Sequence, residues 1–317
     1  MSDRTSIDTS SPSIRFDGRV AIVTGAGGGL GRSHALQLAA RGAKVLVNDL
    51  GVARDGSTVS ATAGASAADL VVAEIRAAGG EALAHTGSVT DPVAVQAMVD
   101  QAMAAWGRVD ILVNNAGILR DKSFSKLTPD DFRLLIDVHL MGAVYASKAV
   151  WEIMKAQKYG RIIFTTSSSG LFGNFGQANY GAAKMALVGL MQTLSIEGEK
   201  YDVRVNCLAP TAATRMTQDI MPPDLLAMLT PESVTPGLLF LASEQAPTRT
   251  TLCAGAGVFA AAHVTLTAGV LIGSGPQAAE QVAQQFSSIQ SRDGDAVPAS
   301  GMAQSQQEMA RVLAART

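Results

Sequence analysis

The sequence predicts an α/β fold, a Rossmann-type doubly wound parallel sheet with a C-terminal helical extension. Short apolar runs alternate with stretches of helical length six times between Val20 and Pro210. Several of these runs end in small or polar residues, where such sheets place their ligands. A glycine cluster, Thr24-Gly-Ala-Gly-Gly-Gly-Leu-Gly31, falls between the first run and the first helical stretch.

Taken in order, Val20-Ala-Ile-Val23 is apolar without interruption and ends in Thr24-Gly25, the pattern of a strand buried on both faces. A helical pattern through Ala35, Leu36, Leu38 and Ala39 stops at Gly42, and Lys44-Val-Leu-Val-Asn48 is the next strand, ending at Asp49. Strand, helix and strand within about 30 residues make the unit of a parallel sheet with crossover helices. Asp69–Ala78 is helical up to Gly79-Gly80, and Ala82–His85 is a brief strand. Asp91-Pro92 opens a helix that reaches Trp106, with Gly107 beyond its end. Ile111–Val113 runs into Asn114-Asn-Ala-Gly117, and a helix over Pro129–Met154 leads to the strand Arg161–Phe164. Asn179–Lys200 is again helical, and Val203–Leu208 is a strand that ends at Pro210.

Two regions break the rhythm. Gly51–Ala68 is a Gly/Ser/Ala-rich loop longer than ordinary connections. Past Gly275 the chain turns to Gln, Ala and Ser, with helical stretches near Gln277–Ile289 and Met302–Ala315. Val282, Phe286, Ile289, Met309, Val312 and Leu313 there call for a packing partner. The expected organisation is a disordered tail over 1–15, a catalytic domain over 16–275 and a helical extension over 276–317.

Bulk properties narrow the function. A chain of 317 residues at 47% hydrophobic content can bury one sizeable core. A net charge of −2 creates no field favouring nucleic acid or a membrane surface. Leu252–Gly273 carries no charge and nears the length of a membrane span, but its glycines, threonines and His263 read as a buried final strand with its connections. Met1–Arg15 lacks the build of a signal peptide, and the two cysteines, Cys207 and Cys253, suit a reducing compartment. A cytoplasmic protein is expected, and no metal site is read.

The glycine cluster suits a dinucleotide. Missing Cβ atoms let backbone approach a pyrophosphate, and a helix N-terminus offers free N–H donors. An ordinary tight turn would look similar, so Asp49 matters. It stands about 20 residues on, at the end of the second strand, where a carboxylate can accept ribose hydroxyls. A 2′-phosphate there would meet a like charge, which favours NAD over NADP. Tyr180-Gly-Ala-Ala-Lys184 places two side chains on one helix face. A phenol titrates near 10, and a neighbouring ammonium, with the positive charge of oxidised nicotinamide, is expected to lower that value towards a usable base. Such a pair alone is commonly structural; Ser167, just past the strand Arg161–Phe164, gives it a partner on one substrate oxygen. Ser168 and Ser169 leave the choice of serine open by spacing alone.

Together Thr24-Gly-x-x-x-Gly-x-Gly31, Asn114-Asn-Ala-Gly117, Ser167, Tyr180-x-x-x-Lys184 and Asn206-x-x-x-Pro210 resemble the short-chain dehydrogenase/reductase family. The resemblance implies that Ser167 holds the substrate oxygen, Tyr180 is the acid/base, and Lys184 binds ribose while tuning the phenol. It implies cofactor contacts from Gly25, Gly29, Leu30, Gly31, Asp49, Ser88, Val89, Asn115, Ala116, Gly117, Tyr180, Lys184, Pro210, Ala213 and Thr214. Val47-Asn-Asp-Leu-Gly51, Asn115-Ala-Gly-Ile-Leu-Arg-Asp121, Val138-His-Leu140 and Gly173-Asn-Phe-Gly-Gln-Ala-Asn-Tyr180 are similar to one subgroup. That subgroup is the (3R)-hydroxyacyl-CoA dehydrogenase regions of peroxisomal multifunctional enzymes of type 2. The ending Ala-Arg-Thr317 is not a peroxisomal Ser-Lys-Leu, which suggests a free-standing bacterial relative.

Three positions depart from the wider family. His139 stands where most members carry a relay-water asparagine, as the subgroup also does, and is set beside the catalytic residues. Ser88 replaces an adenine-contacting aspartate, and Thr211 replaces a glycine. The expected activity is NAD-dependent interconversion of a (3R)-hydroxyacyl-CoA and a 3-ketoacyl-CoA. A hydroxysteroid dehydrogenase of the 17-beta type is the nearest rival, since Phe172, Phe175 and Met216 suit a sterol or an acyl chain. A dinucleotide-sensing protein is a third reading. The family implies a homo-oligomer, a dimer or tetramer, with the extension after Gly275 helping to close the substrate site.

Overall fold

The computed structural model describes residues 13–57, 65–212 and 223–316. Ala213, Thr214, Met216 and most of the expected tail lie outside the described residues.

Eight strands form one sheet: β1 (Val20–Thr24), β2 (Lys44–Asn48), β3 (Ala82–His85), β4 (Ile111–Asn114), β5 (Gly160–Thr165), β6 (Val203–Thr211), β7 (Thr251–Gly255) and β8 (Val258–Ala262). Their order is β3-β2-β1-β4-β5-β6-β7-β8. β1 to β7 are parallel, and the chain direction of winding reverses between β1 and β4, the switch point at which such sheets bind ligands. The helices are α1 (Gly29–Ala40), α2 (Ala67–Ala77), α3 (Pro92–Trp106), α4 (Pro129–Leu135), α5 (Gly142–Gln157), α6 (Ser168–Phe172), α7 (Ala178–Gly198), α8 (Pro223–Met228) and α9 (Pro231–Ala242).

The strands are apolar throughout because both faces are covered. In β1, Ala21 and Val23 join a core with α1, α2 and α9, while Val20 and Ile22 join a core with α3, α5 and α7. The run Pro129–Gln157 has the length and hydropathy of a membrane helix, yet Ala143, Ala146, Val150 and Met154 pack into the second core. It is also not one α-helix: Ile136–Met141 is wound as a π-helix, and His139 lies within it.

The uncharged stretch from Leu252 holds two strands rather than one buried one. Ala256 and Gly257 join β7 to β8 with φ of 49° and 76°, a two-residue hairpin turn of the type whose twist matches its strands. β7 is partly buried, whereas Val258 on the edge strand β8 is 69% exposed.

Residues 1–261 and 262–317 form two compact units, so the division falls before the change of composition at Gly275. The second unit contains α10 (Ala278–Gln284), α11 (Phe286–Ile289) and α12 (Met302–Ala314). A bridge between Leu266 and Ala296, and bonds from Gln307 to the Thr267 and Ala268 carbonyls, tie it together. Of its apolar residues, Ile289 and Val312 are half-buried, while Val282, Phe286, Met309 and Leu313 are exposed.

Candidate active site

One cavity of about 590 Å³ opens at the carboxyl ends of the central strands. It is lined by Gly25, Gly29, Leu30, Gly31, Asp49, Ser88, Val89, Asn115, Ala116, Gly117, His139, Ser167, Tyr180, Lys184 and Pro210. The described residues that the sequence marked for cofactor and catalysis thus share one space.

The glycines are required by contact. A Cβ on Gly25 would stand 2.7 Å from the Ala116 Cα, and one on Gly31 would stand 2.2 Å from the Gly25 carbonyl oxygen. Gly28 differs: nothing lies within 4 Å of its Cβ position, which opens on the cavity. α2, α3 and α4 are capped by Ser66, Asp91 and Thr128, but α1 has no side-chain cap, so its first-turn N–H groups are left for a ligand. This uncapped end beside bare backbone fits a dinucleotide pyrophosphate.

The asparagine motif locks that cradle. Asn115 Nδ2 donates to the Thr24 and Gly25 carbonyls, both at 3.0 Å, and the Asn115 and Ala116 N–H groups donate to Thr24 Oγ1 at 3.1 Å. Asn206, read from its motif, faces away from the chemistry. Its amide donates to the Pro247 carbonyl (2.7 Å) and accepts from Thr250 N–H, pinning the loop before β7.

Asp49 accepts backbone N–H bonds from Gly27 and Gly51, each at 2.8 Å. Each oxygen keeps a second lone pair for a ribose hydroxyl. Ser88 lines the cavity beside Val89, its hydroxyl paired with that of Thr90 at 2.8 Å.

On the far side, β5 ends in the turn that carries Ser167, and α7 carries Tyr180 and Lys184. Ser167 is the N-cap of α6, accepting from Ser169 N–H at 3.2 Å, and it is the serine whose hydroxyl engages Tyr180. Tyr180 keeps partial exposure to the cavity, but protein surrounds its hydroxyl. Burial pushes the phenol up to about 12, against the Ser167 hydrogen bond and with the Asp121 carboxylate. Lys184 is fully buried, its Nζ donates to the Thr165 carbonyl at 2.6 Å, and burial pulls the ammonium down to about 7.

His139 is buried, with its ring edge-on to Tyr180 at a centroid distance of 5.3 Å. Its Nε2 stands 2.9 Å from the Ile118 carbonyl oxygen and 3.3 Å from Ile118 N. One nitrogen cannot serve both, and the shorter contact makes Nε2 the donor. Nδ1 is then an acceptor with no partner among the described residues. Burial, first, and Lys184, second, hold the imidazole well below its usual range, so it is neutral.

Further residues line the cavity: Leu50 next to Asp49, then Val52, Ala53, Arg54 and Gly56 from the long loop, and Asn174 and Gln177 ahead of α7. The Leu119 N–H bond to the Arg54 carbonyl (2.9 Å) and the Arg120 bond to the Asp55 carbonyl (3.0 Å) hold that loop against the segment after β4. Phe172 and Phe175, expected at the substrate, are 73% and 92% exposed and do not line the cavity.

With this geometry in hand, comparison with known proteins is specific. A family model described as short chain dehydrogenase matches residues 19–224. Peroxisomal multifunctional enzyme type 2 of Mus musculus is 52% identical over 231 residues, covering 73% of this chain and 30% of the mouse protein. The full-length enzyme of that name from Drosophila melanogaster superposes with a TM-score of 0.77 at 38% identity, over 95% of this chain and 50% of the fly chain. The chain therefore spans half or less of these relatives. A 7 alpha-hydroxysteroid dehydrogenase, solved with NADH and 7-oxo glycochenodeoxycholic acid, superposes with a TM-score of 0.68 at 30% identity, over 77% of this chain and 95% of that one.

Proposed function

Because this chain belongs to the short-chain dehydrogenase family, and is an oxidoreductase acting on a CH–OH group with a nicotinamide dinucleotide, we propose that it interconverts a (3R)-hydroxyacyl-CoA and the 3-ketoacyl-CoA using NAD. The observation that carries this reading is the meeting of Ser167, Tyr180 and Lys184 with the glycine cradle and Asp49 in one cavity. The cradle at Gly28–Gly31 would hold the pyrophosphate, Asp49 the adenosine ribose, and Ser88 and Val89 the adenine. When bound, the nicotinamide accepts or supplies the hydride. Lys184 would hold its ribose.

The chain's own groups handle the proton and the oxygen. Ser167 donates a hydrogen bond to the substrate oxygen, which grows negative as a ketone is reduced or an alcohol deprotonated. Tyr180 gives that oxygen a proton in reduction and takes it in oxidation. His139 offers Nδ1 as a neutral acceptor beside the phenol, which supports a place for it in holding water or passing the proton.

The acyl-CoA class is supported by the subgroup resemblance and by the peroxisomal relatives. A hydroxysteroid substrate is the second reading, supported by the likeness to the 7 alpha-hydroxysteroid enzyme. An NAD-coupled assay of (3R)-hydroxyacyl-CoAs beside hydroxysteroids separates them. Absence of turnover on 3-hydroxyacyl-CoAs of every chain length overturns the first. The proposal extends to a cytoplasmic homo-oligomer whose C-terminal extension, from Pro276 on, helps close the substrate site. Unchanged KM and unchanged mass by light scattering after deletion of 276–317 would contradict that last part.

The choice of NAD rests on the Asp49 carboxylate, although the cation Arg54 lines the same cavity. Asp49→Asn removes the charge and leaves one of two backbone N–H groups short of an acceptor. The ratio of kcat/KM for NAD to that for NADP is expected to fall by about tenfold or more, since like charges in a site cost several kcal/mol. A ratio that does not move assigns the selectivity elsewhere.

A further inference from the structure

Three consecutive serines follow β5, and the chemistry needs one. What separates them is Gln177, a buried residue just ahead of α7 and three positions before Tyr180. Gln177 Oε1 accepts from the Ser169 hydroxyl at 2.7 Å and from Asn174 Nδ2 at 3.1 Å. Its Nε2 donates to Asp121 Oδ2 at 2.8 Å. The amide orientation is dictated by chemistry. An ionised carboxylate only accepts, so the NH₂ end must face Asp121 and the oxygen must face the two donors. The Ser169 hydroxyl must therefore give its proton to Gln177. Ser167 has no such obligation to Gln177, and its hydroxyl is bonded to Tyr180 within the site.

The same bonds join two walls of the cavity. Asp121 lies on the segment after β4, while Ser169, Asn174 and Gln177 belong to the segment between β5 and α7. The next residues of that segment are tied in as well: Asn179 Nδ2 donates to the Arg120 carbonyl at 3.2 Å, and Lys122 N–H donates to the Gly176 carbonyl at 2.9 Å. Asp121 also acts on Tyr180 through its charge, in the direction that favours the protonated phenol.

We propose that Gln177, braced by Asp121, is a positioning residue for the acid/base tyrosine, which selects Ser167 over Ser169 and sets the wall against which substrate lies. The proposal rests on the reading of Tyr180 as the acid/base group. It concerns residues that act through Tyr180 and Ser167, not residues that touch the reacting atoms.

The test is an exchange of polarity in the full chain, assayed with NAD on (3R)-hydroxybutyryl-CoA and in parallel on a 7 alpha-hydroxy bile acid. Gln177→Glu sets a second carboxylate against Asp121 and is expected to lower kcat/KM by about tenfold or more, mainly through KM. Adding Asp121→Asn restores a donor–acceptor pair in the reverse sense, so the double variant is expected to regain most of the loss. Asp121→Asn alone keeps the bond through its oxygen but removes the charge. Its oxidation profile is expected to rise at lower pH than that of the wild type, by about half a unit, and the difference should shrink in 1 M salt.

A Gln177→Glu variant with wild-type KM and kcat, or a double variant no better than the single, overturns the proposal. Should Gln177→Glu fail to fold, the pH profile of Asp121→Asn decides: no shift overturns it equally. Tyr180→Phe is run alongside. If that variant stays active, the acid/base reading fails, while the rescue of KM in the double variant still reports on the brace.

Discussion

Tyr180→Phe is expected to lower kcat by about 10²- to 10⁴-fold, the usual contribution of a positioned acid/base group, while NAD binding and Tm stay near wild type. Tyr180 lines the cavity and shares its site with Ser167, and its ring meets His139 in a T-shaped contact that Phe preserves. Burial pushes this phenol up to about 12, so the chain alone holds it as an acid. That has a directional consequence. Reduction of a ketone needs a proton donor, which is present throughout the neutral range. Oxidation of an alcohol needs the phenolate, so its rate is expected to climb with pH until the phenol titrates. Initial rates in both directions between pH 6 and about 10 check this. A Tyr180→Phe variant within about tenfold of wild type, or an oxidation rate indifferent to pH, would sink the assignment.

Much of this site was legible because its parts are local in sequence. The cradle, Asp49, and the Tyr180–Lys184 pair each sit at the end of a strand or on one helix face, and periodicity alone puts them there. The desolvation of this pair was not legible. Residue types give an ammonium beside a phenol; only the packing shows how deeply Lys184 is buried. Gln177 and Asp121 lie within strings that carry the subgroup resemblance, but their partnership was not legible, because the bond joins residues 56 positions apart. The π-helical winding around His139 was hidden too, since Pro129–Met154 reads as an unbroken helix. In the second unit, apolar spacing calls for a packing partner, and Met309 and Leu313 are exposed: amphipathicity marks a face without naming what covers it.

Lys184→Met is the second large effect, and its two readouts should move in opposite directions. Activity is expected to fall by about a hundredfold or more, through loss of the amine proposed to hold the nicotinamide ribose beside Tyr180. Stability is expected to rise at neutral and lower pH. The Lys184 side chain is 3% exposed and its ammonium, ordinarily near 10.5, is pulled down to about 7 by burial. The folded state therefore binds fewer protons than the unfolded chain between those two values, and wild-type stability grows as pH rises through that window. Below about pH 7 the penalty is at its full size, of the order of a few kcal/mol at about 1.4 kcal/mol per unit. Methionine fills similar space and removes the penalty at every pH. It also leaves the Thr165 carbonyl without the Nζ donor, a cost of about 1–3 kcal/mol that does not depend on pH. The two terms predict a crossing. The variant should melt above wild type in acid and at neutrality, converge with it as pH rises from 7, and fall below it near 10.5. Paired thermal melts across that range measure the difference, and other titrating groups cancel in it to first order. A gap that is constant with pH would mean that Lys184 is not desolvated in the folded protein, and that the tyrosine beside it is held in a wetter site than this packing describes.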